Sequence, residues 1–261
     1  MGIKMKLFMM SLILHQSLAK LRGLKIFVNS GERLLIYPSH LYMYYDHIVN
    51  TYKNEYPMCE NEYPIDYTRY RTLELLAEQI STNNVKGDAA EAGVAYGDFA
   101  FMINRCFPNR TLYLYDTFEG FDARDVSRDL TESYVSEKYY VESLSSYYNH
   151  NKKDVFNSIK DKMKYPDNCI FRKGWFPESA VFDKDKTFAF VSLDMDLYKP
   201  TYAALEFFYP RLSQGGYIFI HDYNHSDILG VKSAVKDFED KCGAICKVPI
   251  SDISGSLIIS K

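Results

Sequence analysis

The stretch TFAFVSLDMDLYKP, residues 187–200, indicates the fold class of this chain. Its first seven residues are mostly apolar and run without a break, and two carboxylates then follow, Asp194 and Asp196. A continuous apolar run of this kind is typical of a strand buried on both faces, as in a parallel sheet. We therefore interpret residues 187–194 as a central strand whose end carries polar chemistry.

Six further segments have the character of strands, and helix-like patterns separate most of them. Such alternation predicts an α/β fold of the Rossmann-like kind, with a mostly parallel sheet and helices on both faces. Together with residues 187–194, these segments predict a seven-stranded sheet. They are GDAAEAGV (87–94), TLYLYDTF (111–118), CIFRKGW (169–175), GGYIFIHD (215–222), SGSLIIS (254–260) and, more weakly, AICKVPI (244–250).

The 261 residues suffice for one large domain with an added segment. We predict an N-terminal arm over residues 1–65, helical or irregular and rich in aromatic residues, and a main domain over residues 66–261. A core-facing helix is predicted where DYTRYRTLELLAEQI (66–80) has apolar residues at helical spacing. The long connection over residues 122–167 is predicted to carry helices or a lid.

Composition and charge argue against several classes of protein. The net charge is -3 and basic residues are scattered, so binding to nucleic acid is not expected. The apolar run over residues 7–14 is too short to span a membrane and weak as a secretion signal, and we expect an amphipathic helix there. The five cysteines lack the spacing of a redox or zinc pair, which favours reduced thiols and a cytoplasmic location.

Residues at the carboxyl ends of the strands are candidates for cofactor binding, because open parallel sheets bind ligands at that edge. The segment EAGVAYGD supplies Glu91 together with Gly93 and Gly97, which allow a ligand to approach the backbone closely. The next strand ends at Asp116, where a carboxylate can accept hydrogen bonds from both hydroxyls of a ribose. Since the Gly-x-Gly-x-x-Gly turn that binds a pyrophosphate is absent, S-adenosylmethionine is favoured over NAD.

A second polar group follows the fourth and fifth predicted strands. Asp194 and Asp196 follow one strand, His221 and Asp222 follow the other, and neighbouring strands of such a sheet would bring all four together. Carboxylates and water favour Mg²⁺, and an imidazole extends the choice to Mn²⁺ or Fe²⁺. The alternative interpretation is a set of helix caps beside a hydrogen-bonded histidine.

Five segments taken together resemble the macrocin O-methyltransferase (TylF-type) family of S-adenosylmethionine-dependent enzymes. They run in family order from about Gly87 to the C-terminus: EAGVAYGDFA, LYLYDTFEGFD, FRKGWFPES, VSLDMDLYKPTYAALEFFYPRLSQGGYIFIHDYN and GVKSAVKDF. The resemblance implies a class I methyltransferase fold and methylation of a sugar hydroxyl on a glycan, a sugar nucleotide or a glycosylated natural product. It also implies a homo-oligomer, and it does not extend over the first 65 residues.

The resemblance further implies which residues bind the cofactor. The methionine part is expected to lie against Glu91, Gly93 and Gly97, and the ribose on Asp116. The remaining members of the expected set are Gly174 and Trp175 beside the adenine, with the adjoining positions Val94, Tyr96, Thr117 and Phe118.

For the chemistry of transfer, the resemblance implies that Asp194 and Asp222 bind a magnesium ion and that Asp196 is the base. His221 stands where antibiotic-sugar members of the family often have an aspartate. It is therefore a candidate third metal ligand, and an alternative base if it does not bind the metal.

Two other functions compete with this one. An Asp-x-Asp after an apolar strand also binds Mn²⁺ on a nucleotide sugar in glycosyltransferases, but that function leaves EAGVAYGD, Asp116 and HDYN without a role. A non-catalytic cofactor-binding protein would keep the sheet without needing the carboxylates, and the intact set of carboxylates argues against it.

Overall fold

The computed structural model describes residues 24–28, 34–38, 66–141 and 155–261. The chain divides into two compact units, Met1–Tyr67 and Thr68–Lys261. In the first unit, strands β1 (Leu24–Val28) and β2 (Leu34–Pro38) pair antiparallel as a hairpin. The helix expected near residues 7–14 lies outside the described residues, and the division into an arm over 1–65 and a main domain over 66–261 stays a prediction.

The second unit contains one seven-stranded sheet in the order β5-β4-β3-β6-β7-β9-β8. The strands β3 to β7 are parallel, whereas β9 pairs antiparallel with both β7 and β8. This confirms the predicted mostly parallel sheet. The strands are β3 (Asp88–Ala92), β4 (Leu112–Asp116), β5 (Cys169–Lys173), β6 (Phe188–Leu193), β7 (Leu212–Ile220), β8 (Cys246–Pro249) and β9 (Leu257–Ser260).

Helices connect the strands as the alternating pattern predicted. The described helices are α1 (Tyr67–Thr82), α2 (Asp98–Cys106), α3 (Ala123–Thr131), α4 (Val155–Lys162), α5 (Tyr198–Arg211) and α6 (Leu229–Cys242). Shorter helical turns cover Glu137–Tyr139, Pro166–Asn168 and Glu178–Asp183. None of the helices in the described ranges is long and apolar enough to cross a membrane.

The core explains why the strands show no alternation of polar and apolar residues. Every residue of β6 is buried, because helices cover both faces of the sheet. On one face, the ring of Phe188 lies 5.1 Å from the ring of Phe208 on α5. On the other face, the ring of Phe219 lies 5.9 Å from the ring of Phe99 on α2. Much of the aromatic content of this unit therefore serves the core.

The register of the central strands brings their carboxyl ends to one level. Ala92 of β3 pairs with Leu193 of β6, which pairs with Ile220 of β7. The ladder continues one residue beyond the strands, since the amide of Asp194 donates to Ala92 O and the amide of His221 donates to Leu193 O, both at 2.9 Å. Strand order reverses at β3, between β4 and β6, and such a switch point is where open α/β sheets bind ligands.

Candidate functional site

The turn after β3 is a position where only glycine fits. Gly93 has a φ of 86°, and a Cβ added there would lie 1.8 Å from the carbonyl oxygen of Asp194. Backbone of this kind favours glycine, and the close approach leaves no room for a side chain. The turn that was predicted to hold the cofactor is therefore packed directly against the backbone of the acidic segment after β6.

Glu91 is buried beneath this turn, with 1% of its surface exposed. Its Oε2 atom has no hydrogen-bond partner among the residues that the structure describes. Burial raises the pKa of Glu91 well above its ordinary value, Arg69 opposes the shift, and Asp194 and Asp116 add to it. A buried carboxyl oxygen without a partner can accept a hydrogen bond from a ligand or from a water molecule.

Asp116 joins the two loops that were predicted to hold the nucleoside. Its Oδ2 accepts hydrogen bonds from the amides of Val94 at 2.8 Å and Ala95 at 3.0 Å, and its Oδ1 accepts from the amide of Phe118 at 2.6 Å. The carboxylate is thereby anchored between the two loops at the end of β4, and its binding of ribose hydroxyls stays a prediction. The Thr117 hydroxyl is used within its own loop, where it donates to Gly120 O at 2.5 Å.

The insert helix α4 packs on the glycine turn. A Cβ at Gly97, which has a φ of 81°, would lie 2.8 Å from Cγ2 of Ile159. Lys162 donates from Nζ to Tyr96 O and to Asp98 Oδ1, both at 2.9 Å. The insert thus packs on Gly97 and donates a hydrogen bond to the Tyr96 carbonyl. The spacing of the glycines in the sequence did not predict these contacts.

The ring of Phe118 also meets the insert. Its centroid lies 4.6 Å from that of Phe156 on α4 and 6.1 Å from that of Phe171 on β5. Phe118 is buried, and its contacts in this structure are therefore core contacts. Val94 is 4% exposed, its amide donates to Asp116 and its carbonyl accepts from the amide of Gly97 at 2.8 Å, so its contact with the cofactor stays a prediction.

Gly174 and Trp175 lie after β5, next to the Asp116 loop, and the amide of Gly174 donates to Asp116 O at 2.9 Å. Trp175 donates from Nε1 to Asp125 Oδ2 at 2.8 Å, and the guanidinium of Arg124 lies 4.0 Å from the indole centroid. Among the described residues, a Cβ at Gly174 would have one neighbour within 4 Å, Cβ of Ser179 at 3.6 Å. The indole is therefore oriented by α3 beside an uncrowded backbone, which suits an adenine.

The acidic cluster forms where β6 and β7 end. Asp194, His221 and Asp222 each offer a ligand atom, and these atoms lie within 4.8 Å of one another. His221 Nδ1 lies 3.0 Å from Asp194 Oδ1 and 2.9 Å from Asp222 Oδ2. The strand ends therefore converge as the sequence predicted, while metal binding by these three residues stays a prediction.

Charges inside the cluster shift the pKa of each member. Burial and Arg69 lower the pKa of His221, but Asp194 and Asp222 outweigh them and raise it to about 10. Burial tends to raise the pKa of Asp194, whereas His221 and Arg69 bring it below its ordinary value. Asp222 is likewise lowered, because its contact with His221 outweighs its burial. The cluster thus holds a protonated imidazole between two ionised carboxylates.

Asp196 behaves differently from its neighbours. Burial, together with the charges of Asp222 and Asp194, raises its pKa well above the ordinary value, and its carboxyl group shares a hydrogen bond with Asp222. Its φ of 59° lies in the left-handed region, which is uncommon for residues other than glycine. A carboxyl group with a raised pKa is a stronger base than an ordinary carboxylate once it has lost its proton.

Arg69 on α1 is a member of the cluster that the sequence reasoning missed. Its Nη2 donates to Asp194 Oδ2 at 2.8 Å, and its guanidinium lies 3.9 Å from the ring centroid of Phe99. The available signal was its position in DYTRYRTLELLAEQI, where it precedes the buried Leu73 by one helical turn. A charged residue on the core-facing side of an amphipathic helix requires a buried partner.

The donor set fits a divalent cation in its chemistry. Two carboxylates and an imidazole within reach of one another suit Mg²⁺, Mn²⁺ or Fe²⁺. Such an ion would have to replace the proton on His221 Nδ1, because that nitrogen now points at both carboxylates. The glycine turn, the Asp116 carboxylate and the oriented indole likewise fit the methionine, ribose and adenine parts of S-adenosylmethionine.

Comparison with known proteins gives a family match over most of the chain. The family model for macrocin-O-methyltransferase (TylF) matches residues 57–257. This confirms the resemblance drawn from the five sequence segments. Since the match begins before α1, it also includes the helix that carries Arg69.

Three characterised relatives are each 27% identical to this chain. Demethyldecarbamoylnovobiocin O-methyltransferase of Streptomyces niveus matches over 165 residues, 61% of each chain. A Streptomyces olivaceus enzyme, 8-demethyl-8-(2,3-dimethoxy-alpha-L-rhamnosyl)-tetracenomycin-C 4'-O-methyltransferase, matches over 198 residues, 72% of this chain and 70% of its own. Mycinamicin III 3''-O-methyltransferase of Micromonospora griseorubida matches over 191 residues, 69% and 70% respectively. The chain thus spans less than two thirds of the length of the first of these relatives.

Solved structures share the fold. The O-methyltransferase NovP superposes with a TM-score of 0.58 at 23% identity, covering 74% of this chain and 79% of its own. The calicheamicin methyltransferase CalS11 superposes with a TM-score of 0.54 at 18% identity, covering 82% and 84%. These likenesses confirm the predicted class I methyltransferase fold.

Proposed function

The chain belongs to the macrocin O-methyltransferase (TylF) family, and we propose that it transfers a methyl group from S-adenosylmethionine to a hydroxyl group of a sugar. The names of two relatives support the acceptor class, since one acts on a product that carries a rhamnosyl group and another on mycinamicin III. The observation that carries the proposal is the contact between Gly93 and Asp194 O, which joins the cofactor turn to the acidic cluster.

The cofactor would bind across the carboxyl ends of β3, β4 and β5. S-Adenosylmethionine supplies a methyl group that is already activated by its positive sulfur. Glu91 offers Oε2, which has no partner among the described residues, below the turn. Asp116 offers a carboxylate held between the two loops, and Trp175 offers its indole. What these residues would contribute is orientation, because a transfer to an oxygen nucleophile requires the methyl group to lie in line with that oxygen.

Asp196 is the base that the electrostatics favour. Its raised pKa makes the ionised form a strong acceptor for the hydroxyl proton, and its neighbours at the cluster hold it at the end of β6. His221 also has a raised pKa, of about 10, but its Nδ1 is engaged by Asp194 at 3.0 Å and Asp222 at 2.9 Å, an ion-paired arrangement that stabilises the protonated ring. We therefore assign to Asp196 the removal of the proton from the sugar hydroxyl, and to His221 the role of holding Asp194 and Asp222 in place.

A divalent cation would be held by Asp194, Asp222 and His221. Bound there, it would lower the pKa of a sugar hydroxyl and offset the two negative charges that raise the pKa of Asp196. The residues of the chain, and not the ion, would still position the cofactor and the base. A homo-oligomer and a cytoplasmic location stay predictions.

The test combines binding and turnover. We expect S-adenosylhomocysteine to bind in isothermal titration calorimetry and labelled methyl to pass from S-adenosylmethionine to members of a panel of sugar nucleotides and glycosides. Asp196→Asn should keep the binding and lose at least about 100-fold in turnover, in the range typical of general bases. The exposed Asp240→Asn is the matched control and should leave both unchanged.

Two outcomes would contradict the proposal. Affinity for uridine diphosphate without affinity for S-adenosylhomocysteine would favour the glycosyltransferase alternative, which the family match already opposes. Full turnover by Asp196→Asn would remove Asp196 as the base while leaving the methyltransferase assignment intact.

A further inference from the structure

Arg69 introduces a fixed positive charge into the cluster from outside the strand ends. Its side chain is 11% exposed, its guanidinium lies over the ring of Phe99, and its Nη2 donates to Asp194 Oδ2 at 2.8 Å. The Asp194 side chain, by comparison, is 23% exposed. The ring and the ion pair together restrict the guanidinium, so its charge acts from a defined position.

The partner of Arg69 is the same carboxylate that the proposed function gives to a metal ion. Asp194 accepts from Arg69 through Oδ2 and from His221 through Oδ1, so both oxygens are engaged. A cation that approaches Asp194 therefore meets a neighbouring guanidinium and a carboxylate whose charge is partly neutralised. Both effects weaken metal binding, since attraction between charges in a half-buried site is strong and falls slowly with distance.

We propose that Arg69 is a positioning residue that competes with a divalent cation for the Asp194 carboxylate and thereby lowers the metal affinity of the cluster. This rests on the proposed function, since it takes the metal ligands from there. Its consequence is that the ion pair with Arg69 holds Asp194 in one orientation when no metal ion is bound.

The decisive measurement is the binding of Mn²⁺, followed by electron paramagnetic resonance of the free ion, to the full-length protein. Arg69→Met removes the charge and keeps an unbranched apolar side chain beside Phe99. We expect it to bind Mn²⁺ at least about tenfold more tightly, which corresponds to about 1.4 kcal/mol. Arg71→Met is the matched control, because Arg71 lies on the same helix and pairs with Glu74 at the surface.

Two further variants show whether a change in Mn²⁺ affinity comes from the charge of residue 69 or from a loss of folding. Arg69→Lys retains the charge, and its Mn²⁺ affinity should stay within about threefold of the native protein. In an Asp194→Asn background, Arg69→Met should no longer tighten Mn²⁺ binding, because the carboxylate for which the two cations compete is gone.

The outcomes distinguish this proposal from the function on which it rests. Unchanged or weaker Mn²⁺ binding by a folded Arg69→Met protein would overturn the competition. The same holds if native and variant proteins fail to bind Mn²⁺ at millimolar concentration. S-Adenosylhomocysteine affinity, measured on the same samples, reports on the methyltransferase assignment separately. If Arg69→Met lost that affinity and left Mn²⁺ binding unaltered, Arg69 would be a cofactor ligand instead.

Discussion

Replacement of Gly93 by alanine tests whether the cofactor turn and the acidic cluster are one unit. A Cβ at this position would lie 1.8 Å from Asp194 O, and contacts of a Cβ below 3.0 Å are essentially never seen. The two backbones would have to separate by about 1.2 Å. A movement of that size exceeds the tolerance of the hydrogen bonds that Asp194 makes with Arg69 and His221.

The expected loss of stability has two parts. A positive φ in a residue other than glycine costs about 1–3 kcal/mol, and forcing atoms into a packed region costs about 1–3 kcal/mol more. We therefore expect Gly93→Ala to lower the free energy of unfolding by about 2–6 kcal/mol in urea titrations. In protein that remains folded, displacement of Asp194 should reduce methyl transfer by about 100-fold.

Gly243→Ala is the matched control for the backbone part alone. Gly243 has a φ of 89°, close to that of Gly93, and an added Cβ there would meet no atom of the described residues within 4 Å. It should cost only the first part and leave turnover and S-adenosylhomocysteine affinity unchanged. The reasoning is wrong if Gly93→Ala is no less stable than Gly243→Ala and binds S-adenosylhomocysteine as the native protein does.

Three further predictions follow from other parts of the unit. Burial raises the pKa of Asp129 to about 6, with its bond from the Tyr198 amide opposing the shift and Asp125 adding to it. The folded state therefore binds this proton more tightly than the unfolded state, so the free energy of unfolding falls by up to about 3 kcal/mol as pH rises from about 4 to about 6. In urea titrations, Asp129→Asn should abolish this pH dependence, whereas the control Asp240→Asn should retain it. Trp175 is the single tryptophan of the chain, so binding of S-adenosylhomocysteine should change the intrinsic fluorescence, and calorimetrically detected binding without such a change would refute the position given to the adenine. Removal of metal ions by a chelator should leave S-adenosylhomocysteine affinity intact and lower methyl transfer at least about tenfold, and adding Mg²⁺ or Mn²⁺ should restore it. Full turnover after chelation would exclude a metal-assisted step.

The sheet was predictable because burial on both faces leaves a direct record in the sequence. Phe188–Leu193 is apolar throughout except for Ser192. A segment of this kind has no polar face and therefore does not suit an amphipathic strand at the surface. The candidate site was predictable for a related reason. Once the strands are in parallel order, the residues that follow them, such as Asp116 and Asp194, must lie along one edge.

Contacts that join elements distant in the sequence could not be predicted in the same way. Arg69 and Asp194 are 125 residues apart, and the spacing along either segment does not show that the helix and the strand end meet. The hydrogen bond from Trp175 to Asp125 likewise joins residues that are distant in the sequence. In the first unit, the hairpin of β1 and β2 was not predicted, because residues 1–65 were interpreted only as a helical or irregular arm.

Gly93 and Gly97 show how similar signals in one turn can have different physical causes. Both have a positive φ and both were assigned to the cofactor, yet Gly93 is required by the backbone of Asp194 and Gly97 by the Ile159 side chain of the insert. Lys162 reinforces the second contact through the Tyr96 carbonyl and Asp98. The turn is thus clamped between the acidic segment on one side and the insert on the other. Changes in the insert, which was predicted to carry helices or a lid, would therefore reach the cofactor turn through Gly97, and changes in the acidic segment would reach it through Gly93.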